Sequence, residues 1–263
     1  MGAIVRHAIE LFAYRDLLYT LTLHRFSVRY KQSLLGPAWA VVQPLSLMAI
    51  YTIIFSLFTR IPTNGLPYAV FVYSALLLWT FFSTAVTTSA NSLVSHTQLI
   101  SKVYFPREIL PITYVNAALV DLLIASLILG CLMAYYRVHV TSNLLYVIPI
   151  VLLAVVFTTA ASLLVAAIQV RFRDIGLAMP LLLQLWMFAS PVVYPLSAVP
   201  PRFKAVYLLN PMAGIIEDFR RALLQGAAPE PGTLRNAIII SCIALPLAYA
   251  WFKNREATMV DVI

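Results

Sequence analysis

Charge is what this sequence has least of. Of its 263 residues only 11% are Asp, Glu, Lys or Arg, where a soluble domain carries roughly a quarter. None of the eight glycines is followed by lysine, so the chain has no nucleotide-phosphate loop of the Walker kind. H-E-x-x-H and G-x-S-x-G are absent too, and His7, His24, His96 and His139 fall in four separate segments, so no metal site is locally encoded. Cys131 and Cys242 are the only cysteines and neither lies in a C-x-x-C spacing, so buried, inert thiols are expected. No N-x-[ST] sequon occurs. Residues 1–30 lack a compact apolar core followed by a small-residue cleavage site, so no signal peptide is expected. Such a chain is poorly equipped for covalent chemistry. Uphill work by it needs energy from a partner or an ion gradient.

What is present is apolar. Hydrophobic residues make up 62% of the chain and mean hydropathy is +0.88, which marks an integral membrane protein. The apolar runs are too long for a β-barrel, whose strands alternate over about 10 residues, so the fold class is an all-α bundle. Six spans are expected, at 38–59, 67–90, 109–136, 144–169, 175–194 and 236–252, each near the about 20 residues needed to cross hydrocarbon. Six crossings put both termini on one side. The terminal and even-numbered loops carry 11 Lys and Arg against 7 in the odd-numbered ones, which predicts cytoplasmic termini. The net charge of +8 is then explained by loop placement and anionic lipid, and no nucleic-acid partner is expected. Five of the seven odd-side cations lie in 195–235 beside two amphipathic stretches, which predicts a segment dipping into the outer leaflet.

Ahead of the first span, residues 8–31 read as an amphipathic interfacial helix. Phe12, Tyr19, Leu23, Phe26 and Tyr30 form an aromatic stripe, and Arg15, Thr22, Arg25 and Arg29 a neighbouring strip. The helix runs into a joint. Gly36 supplies backbone freedom, Pro37 suits the first turn of the next helix, and Trp39 is placed at head-group depth. Arg25, Arg29 and Lys31 have two compatible readings: positive-inside cations, or an access site for a lipid-linked substrate whose pyrophosphate Arg would grip bidentately.

Residues 91–108 form a polar stretch in which Leu93, Leu99, Ile100, Val103, Tyr104 and Phe105 are exposed unless something covers them. That is either a docking knob with a basic edge or a loop folded back on the bundle. Asp121 sits alone in the third span. A hydrogen bond to a neighbouring helix, with Asn116 one same-chain candidate, is favoured over a proton path, because no spanning Lys, Arg or His accompanies it.

Several of these stretches carry a resemblance. Arg29-Tyr30-Lys31, Ser33-Leu34-Leu35-Gly36-Pro37, Trp39 and Pro44 resemble the approach to the first span in permease subunits of bacterial polysaccharide-exporting ABC transporters, the exporters of O-antigen, capsule and teichoic acid. Leu99-Ile100-Ser101-Lys102-Val103-Tyr104-Phe105-Pro106-Arg107 is similar to the coupling helix by which those permeases dock on their ATP-hydrolysing subunit, and Arg171-Phe172-Arg173-Asp174 agrees. The resemblance implies a six-span permease of the type-2 ABC exporter kind in a bacterial cytoplasmic (inner) membrane. It implies a homodimer of this chain with two ATP-binding subunits, which would hold the ATP and Mg, leaving this chain without a cofactor. It also implies a channel at the dimer interface for a lipid-linked polysaccharide, to which Tyr51, Phe55, Trp79 and Phe82 are expected to contribute stacking surfaces. Two alternatives stay open at this point. One is a type-2 exporter of a drug or lipid. The other is a membrane enzyme acting on polyprenyl-linked sugars, for which Glu217-Asp218 is the only adjacent acidic pair.

Overall fold

The computed structural model describes residues 13–57 and 65–262, and side chains within 13–55 and 65–256. The first turn expected at residues 60–65 and the Phe12 end of the aromatic stripe therefore lie largely outside the described residues. Among the described residues the chain forms helices and turns and no strand.

The elements follow the hydropathy pattern closely at first. Helix α1 is Arg15–Tyr30 and ends in the break at Gln32, whose φ is 63°. A single 3-10 turn, Gly36–Ala38, starts with Gly36 at φ 54° and Pro37 just inside, the backbone freedom and fixed φ that the joint requires. Helix α2, Trp39–Leu57, grows directly out of it. Helices α3 (Tyr68–Ala90), α4 (Thr97–Lys102), α5 (Ile109–Tyr135), α6 (Val147–Arg171) and α7 (Ile175–Phe188) follow, then α8 (Pro201–Tyr207), α9 (Pro211–Leu223) and α10 (Pro231–Val262).

Helix α3 is the axis of the bundle. Its residues from Ala69 to Trp79 are buried without interruption, so its polarity is set by packing on all sides rather than by one apolar stripe. Helices α5 and α6 make its largest contacts, α2, α7 and α9 complete the ring, α10 lies along the far side of α6, and α1 leans on α5. Small residues let the helices approach. A Cβ on Gly214 of α9 would sit 3.0 Å from the Thr233 carbonyl of α10, so that crossing needs glycine.

Among the described residues five stretches are long and apolar enough to cross a membrane: Gly36–Phe55, Tyr68–Ala90, Ile109–Tyr135, Ser142–Arg171 and Pro231–Glu256. The expected fifth span is different. Its helix stops at Phe188 after 14 residues, about 21 Å, and residues 189–195 continue as turns. Pro191 and Pro195 withhold two of the N–H groups a helix would need there. The last helix instead exceeds its expected bounds at both ends. The two cysteines depart from expectation as well, since both are exposed on the apolar outer faces of α5 and α10.

Candidate functional site

Residues 91–108 build a projection at the end of the bundle where α3, α6 and α10 meet. Helix α4 has only six residues, and the chain leaves it extended at Val103. The apolar residues of this stretch divide into two sets. Leu93 and Phe105 are buried beside Ile109, Leu110, Leu163 and Phe252, and Leu99 and Ile100 pack half-buried on the same cluster. Val103 and Tyr104 face out, 53% and 92% exposed. The knob thus has a root in the chain's own core and a two-residue apolar tip, joined to the basic Lys102, which is exposed, and to Arg107. Both alternatives read from the sequence hold for part of the stretch: it folds back, and it presents a tip.

Charge fixes the root. Glu108, fully buried, accepts from Lys253 Nζ at 2.8 Å and from the Tyr249 hydroxyl at 2.9 Å. Lys253 also donates to Glu256 at 2.9 Å, and Arg107 reaches the Glu256 backbone carbonyl through its guanidinium. Pro106 lies between, closing the stretch before α5. A second corner of the same end is tight. Gln169 Nε2 donates to Asn91 Oδ1 at 3.1 Å, and the Gly176 N–H donates to Gln169 at 2.5 Å.

In helix α1, Thr22, Arg25 and Arg29 of the second strip turn toward the bundle while Arg15 stays exposed, and the aromatic stripe is partly exposed. The Arg25 guanidinium lies 4.3 Å from the centre of the Tyr114 ring, and Arg29 pairs with Asp121 at 2.5 Å. The Tyr30 hydroxyl donates to the other Asp121 oxygen at 2.7 Å, and burial with this bond pushes the phenol above its ordinary pKa. Tyr19 and Leu23 are exposed. The bond to a neighbouring helix expected for Asp121 exists, but its partners are Arg29 and Tyr30 rather than Asn116. Of the three cations, Lys31 alone is exposed with no ion pair among the described residues.

The aromatic set divides too. Tyr51 and Phe55 lie half-buried on α2, their rings 6.3 Å apart, and Phe55 touches Tyr68. Trp79 and Phe82 are interior, 4% and 0% exposed, and interlock with Phe157 and Trp186 at centroid distances of 5.2 to 6.4 Å. In this arrangement the rings of Trp79 and Phe82 fill the bundle and do not face a lumen, a departure from the expected channel wall.

The residue that sequence reasoning missed is Arg220. It is fully buried on α9, and burial lowers its pKa to about 10, so it stays charged at neutral pH. Its Nη1 donates to the Pro191 carbonyl at 2.6 Å, Nη2 to Val192 at 2.5 Å and Nε to Phe71 at 3.1 Å, and the guanidinium lies 3.7 Å from the Phe71 ring centre. Glu217 stands 3.8 Å away. Two carbonyls left open by the turns after α7, those of Pro191 and Val192, are thus satisfied by one side chain. A signal was available. Arg220 follows Ile216 by four and precedes Leu223 by three, which places it on the buried face of α9.

Comparison with known proteins agrees over most of the length. The ABC-2 type transporter family matches residues 16–224. The O-antigen export system permease protein RfbA of Myxococcus xanthus is 31% identical over 98% of this chain and all of its own length. A protein of the same name from Klebsiella pneumoniae is 29% identical over 80% of this chain and 81% of its own. The polysialic acid transport protein KpsM of Escherichia coli is 23% identical over 91% and 93%. With its long apolar helices around a buried α3, and a family match running from α1 through α9, the chain belongs to the ABC-2 type transporter family.

Proposed function

We propose that this chain is the permease subunit of an ABC transporter that exports a lipid-linked polysaccharide across a bacterial inner membrane. The names of its relatives favour that cargo class over a drug or simple lipid, and favour transport over a membrane enzyme. ATP and Mg would belong to a separate ATP-binding subunit, two copies of which would serve a homodimer of this chain.

The observation that carries the reading is the tip at Val103 and Tyr104. An almost fully exposed tyrosine held on a root of buried side chains and ion pairs is a poor use of apolar surface unless a partner covers it. The ATP-binding subunit would seat Val103, Tyr104 and Lys102 in a groove, and Leu99, Ile100, Phe105, Pro106 and Arg107 would hold them rigidly. This end is then cytoplasmic, in agreement with the Lys and Arg distribution.

Six crossings fit the contacts better than five. Gly176 touches Gln169 and Asn91 at one end of α3, while the Tyr68 hydroxyl at the other end donates to the Val193 carbonyl at 2.8 Å. The short helix α7 plus residues 189–193 therefore covers the length of α3. Helices α8 and α9 would form the re-entrant cap, with α9 tethered by Arg220. The exposed apolar faces of α2 and α7, both against α3, would meet their copies in a homodimer, with Tyr51 and Phe55 at the channel wall and the Trp79–Phe82 cluster stiffening it from behind. Gly36 and Pro37 would allow α1 to adjust against α2. Arg25 and Lys31 remain candidates for a pyrophosphate at the cytoplasmic face, with Arg29 released to it only if Asp121 lets go.

The test is purification from native cells of wild type and a Val103→Ser/Tyr104→Ala double variant, with ATPase activity assayed in the eluate. A tyrosine anchor contributes about 2 kcal/mol, so the variant should bind roughly 30-fold more weakly and lose both ATPase and export at unchanged abundance. Undiminished ATPase in the variant would refute the docking site. No ATPase with wild type would refute the permease reading.

A further inference from the structure

At the end of the bundle remote from Tyr104, two cavities adjoin. One is an apolar groove of about 680 Å³ between α5 and α6, floored by Leu77, Phe219 and Leu223. The other is a pocket of about 440 Å³ lined by Arg137, His139 and Gln225 among others. Val138 lines both, so the two form one site, apolar along its length and basic at its mouth. Among the described residues, no lining residue of either is acidic.

The groove exists because α5 and α6 both pack more extensively on α3 than on each other, and because Ser126, Gly130 and Ala134 put small side chains along α5. Its α6 wall runs from Val147 to Val155, about 12 Å, and its α5 wall from Leu119 to Ala134, about 22 Å, so the groove is deep enough for one leaflet's half of the about 30 Å hydrocarbon core. The mouth has its own peculiarity. Arg137 follows the C-terminal end of α5 at φ 53°, a position where glycine relieves strain and arginine does not. Among the described residues its guanidinium makes no ion pair and no side-chain hydrogen bond.

We propose that this composite site binds one anionic phospholipid, its phosphodiester at Arg137 and its acyl chains in the groove between α5 and α6. The charge decides the headgroup: a guanidinium grips a phosphate bidentately, and a zwitterionic lipid brings its own cation to a mouth that is already basic. The leaflet-long apolar wall decides that the phosphate belongs to a lipid and not to a soluble anion. The site is independent of the cargo and of the ATP-binding subunit and needs only the membrane.

The experiment is lipid mass spectrometry on the full chain purified in mild detergent, supplied with equal phosphatidylglycerol and phosphatidylethanolamine. Wild type should retain phosphatidylglycerol preferentially. Arg137→Gly should lower that retention about tenfold while raising or preserving the melting temperature, since glycine suits the backbone there. Gly130→Leu fills the groove from a position where a Cβ meets nothing within 4 Å, and should lower retention of both lipids. Equal retention of the two lipids by wild type would overturn the proposal. So would unchanged phosphatidylglycerol retention in Arg137→Gly, or retention of a polyprenyl phosphate in place of either phospholipid.

Discussion

Replacing Arg220 by methionine is the sharpest test of how α9 is held against the turns after α7. Methionine keeps most of the length and apolar stem but removes every donor. Three carbonyls, of Phe71, Pro191 and Val192, then face an interior with no guanidinium, and Glu217 loses the charge 3.8 Å away. Leaving one buried acceptor unpaired costs about 1–3 kcal/mol, and breaking a buried ion pair on one side about 3–5 kcal/mol. Part of this is recovered as the turns relax, so a loss of about 4 kcal/mol is expected. For a chain of this size about 1 kcal/mol moves the melting temperature by 2–4 °C, giving a drop of roughly 10 °C in a thermal melt of the detergent-solubilised protein. Arg220→Lys keeps the charge but cannot fan donors to three carbonyls, and should fall between. A methionine variant melting within about 2 °C of wild type would refute the reasoning.

Asp121→Asn should free α1 from α5: the ion pair is partly exposed, so about 2 kcal/mol is at stake, and trypsin should cut at Lys31 faster. Combining it with Arg29→Gln should add little, and full additivity in proteolysis rate would disprove the pairing. Asp218, buried on α9, has its carboxyl pKa raised to about 6 by burial, against the opposing bonds from the Glu230 N–H and the Thr233 hydroxyl. A raised folded pKa means that the stabilising contribution is complete below the unfolded value near 3.9 and is lost as pH climbs through about 6. The melting temperature should therefore gain on lowering pH from 7.5 to 5.5, and part of that gain should vanish in Asp218→Asn. Identical pH slopes in the two proteins would count against it.

Much of the architecture was legible because hydrophobic runs and Gly-Pro breaks act locally. The bounds of α3 and α5 fall within a residue of expectation, and the aromatic and basic residues of 91–108 single that stretch out, as a docking knob or a folded-back loop. What failed was long-range. Periodicity placed Arg25 and Arg29 on one strip of α1 but cannot tell which of two adjacent strips a distant helix will bury, and Asp121 lies 92 positions from its partner. The hydropathy of residues 175–194 is continuous, yet the helix ends early because a guanidinium from α9 supplies the donors that a helix would have supplied. Arg220 is one of the five cations of 195–235, and by sequence it reads as a loop charge, although its register on the apolar face of α9 points inward. Trp79 and Phe82 read as channel candidates because i, i+3 spacing defines a face without saying what covers it.

The ties from Arg107 and Glu108 to Lys253, Tyr249 and Glu256 have a mechanical meaning. They fasten the projection to α10 between Tyr249 and Glu256, about 30 Å along that helix from Thr233. Displacement of the Tyr104 tip is then shared by a lever whose far end is tied to α9, Thr233 donating to Asp218 at 2.9 Å. A tilt of about 5° over the about 30 Å from Lys253 to Thr233 moves that far end about 2.6 Å. A partner that covered Val103 and Tyr104 would thus have a direct connection to the opposite end of the bundle, along the outside of α6 and clear of the buried axis at α3, interrupted only by the proline break at Pro246.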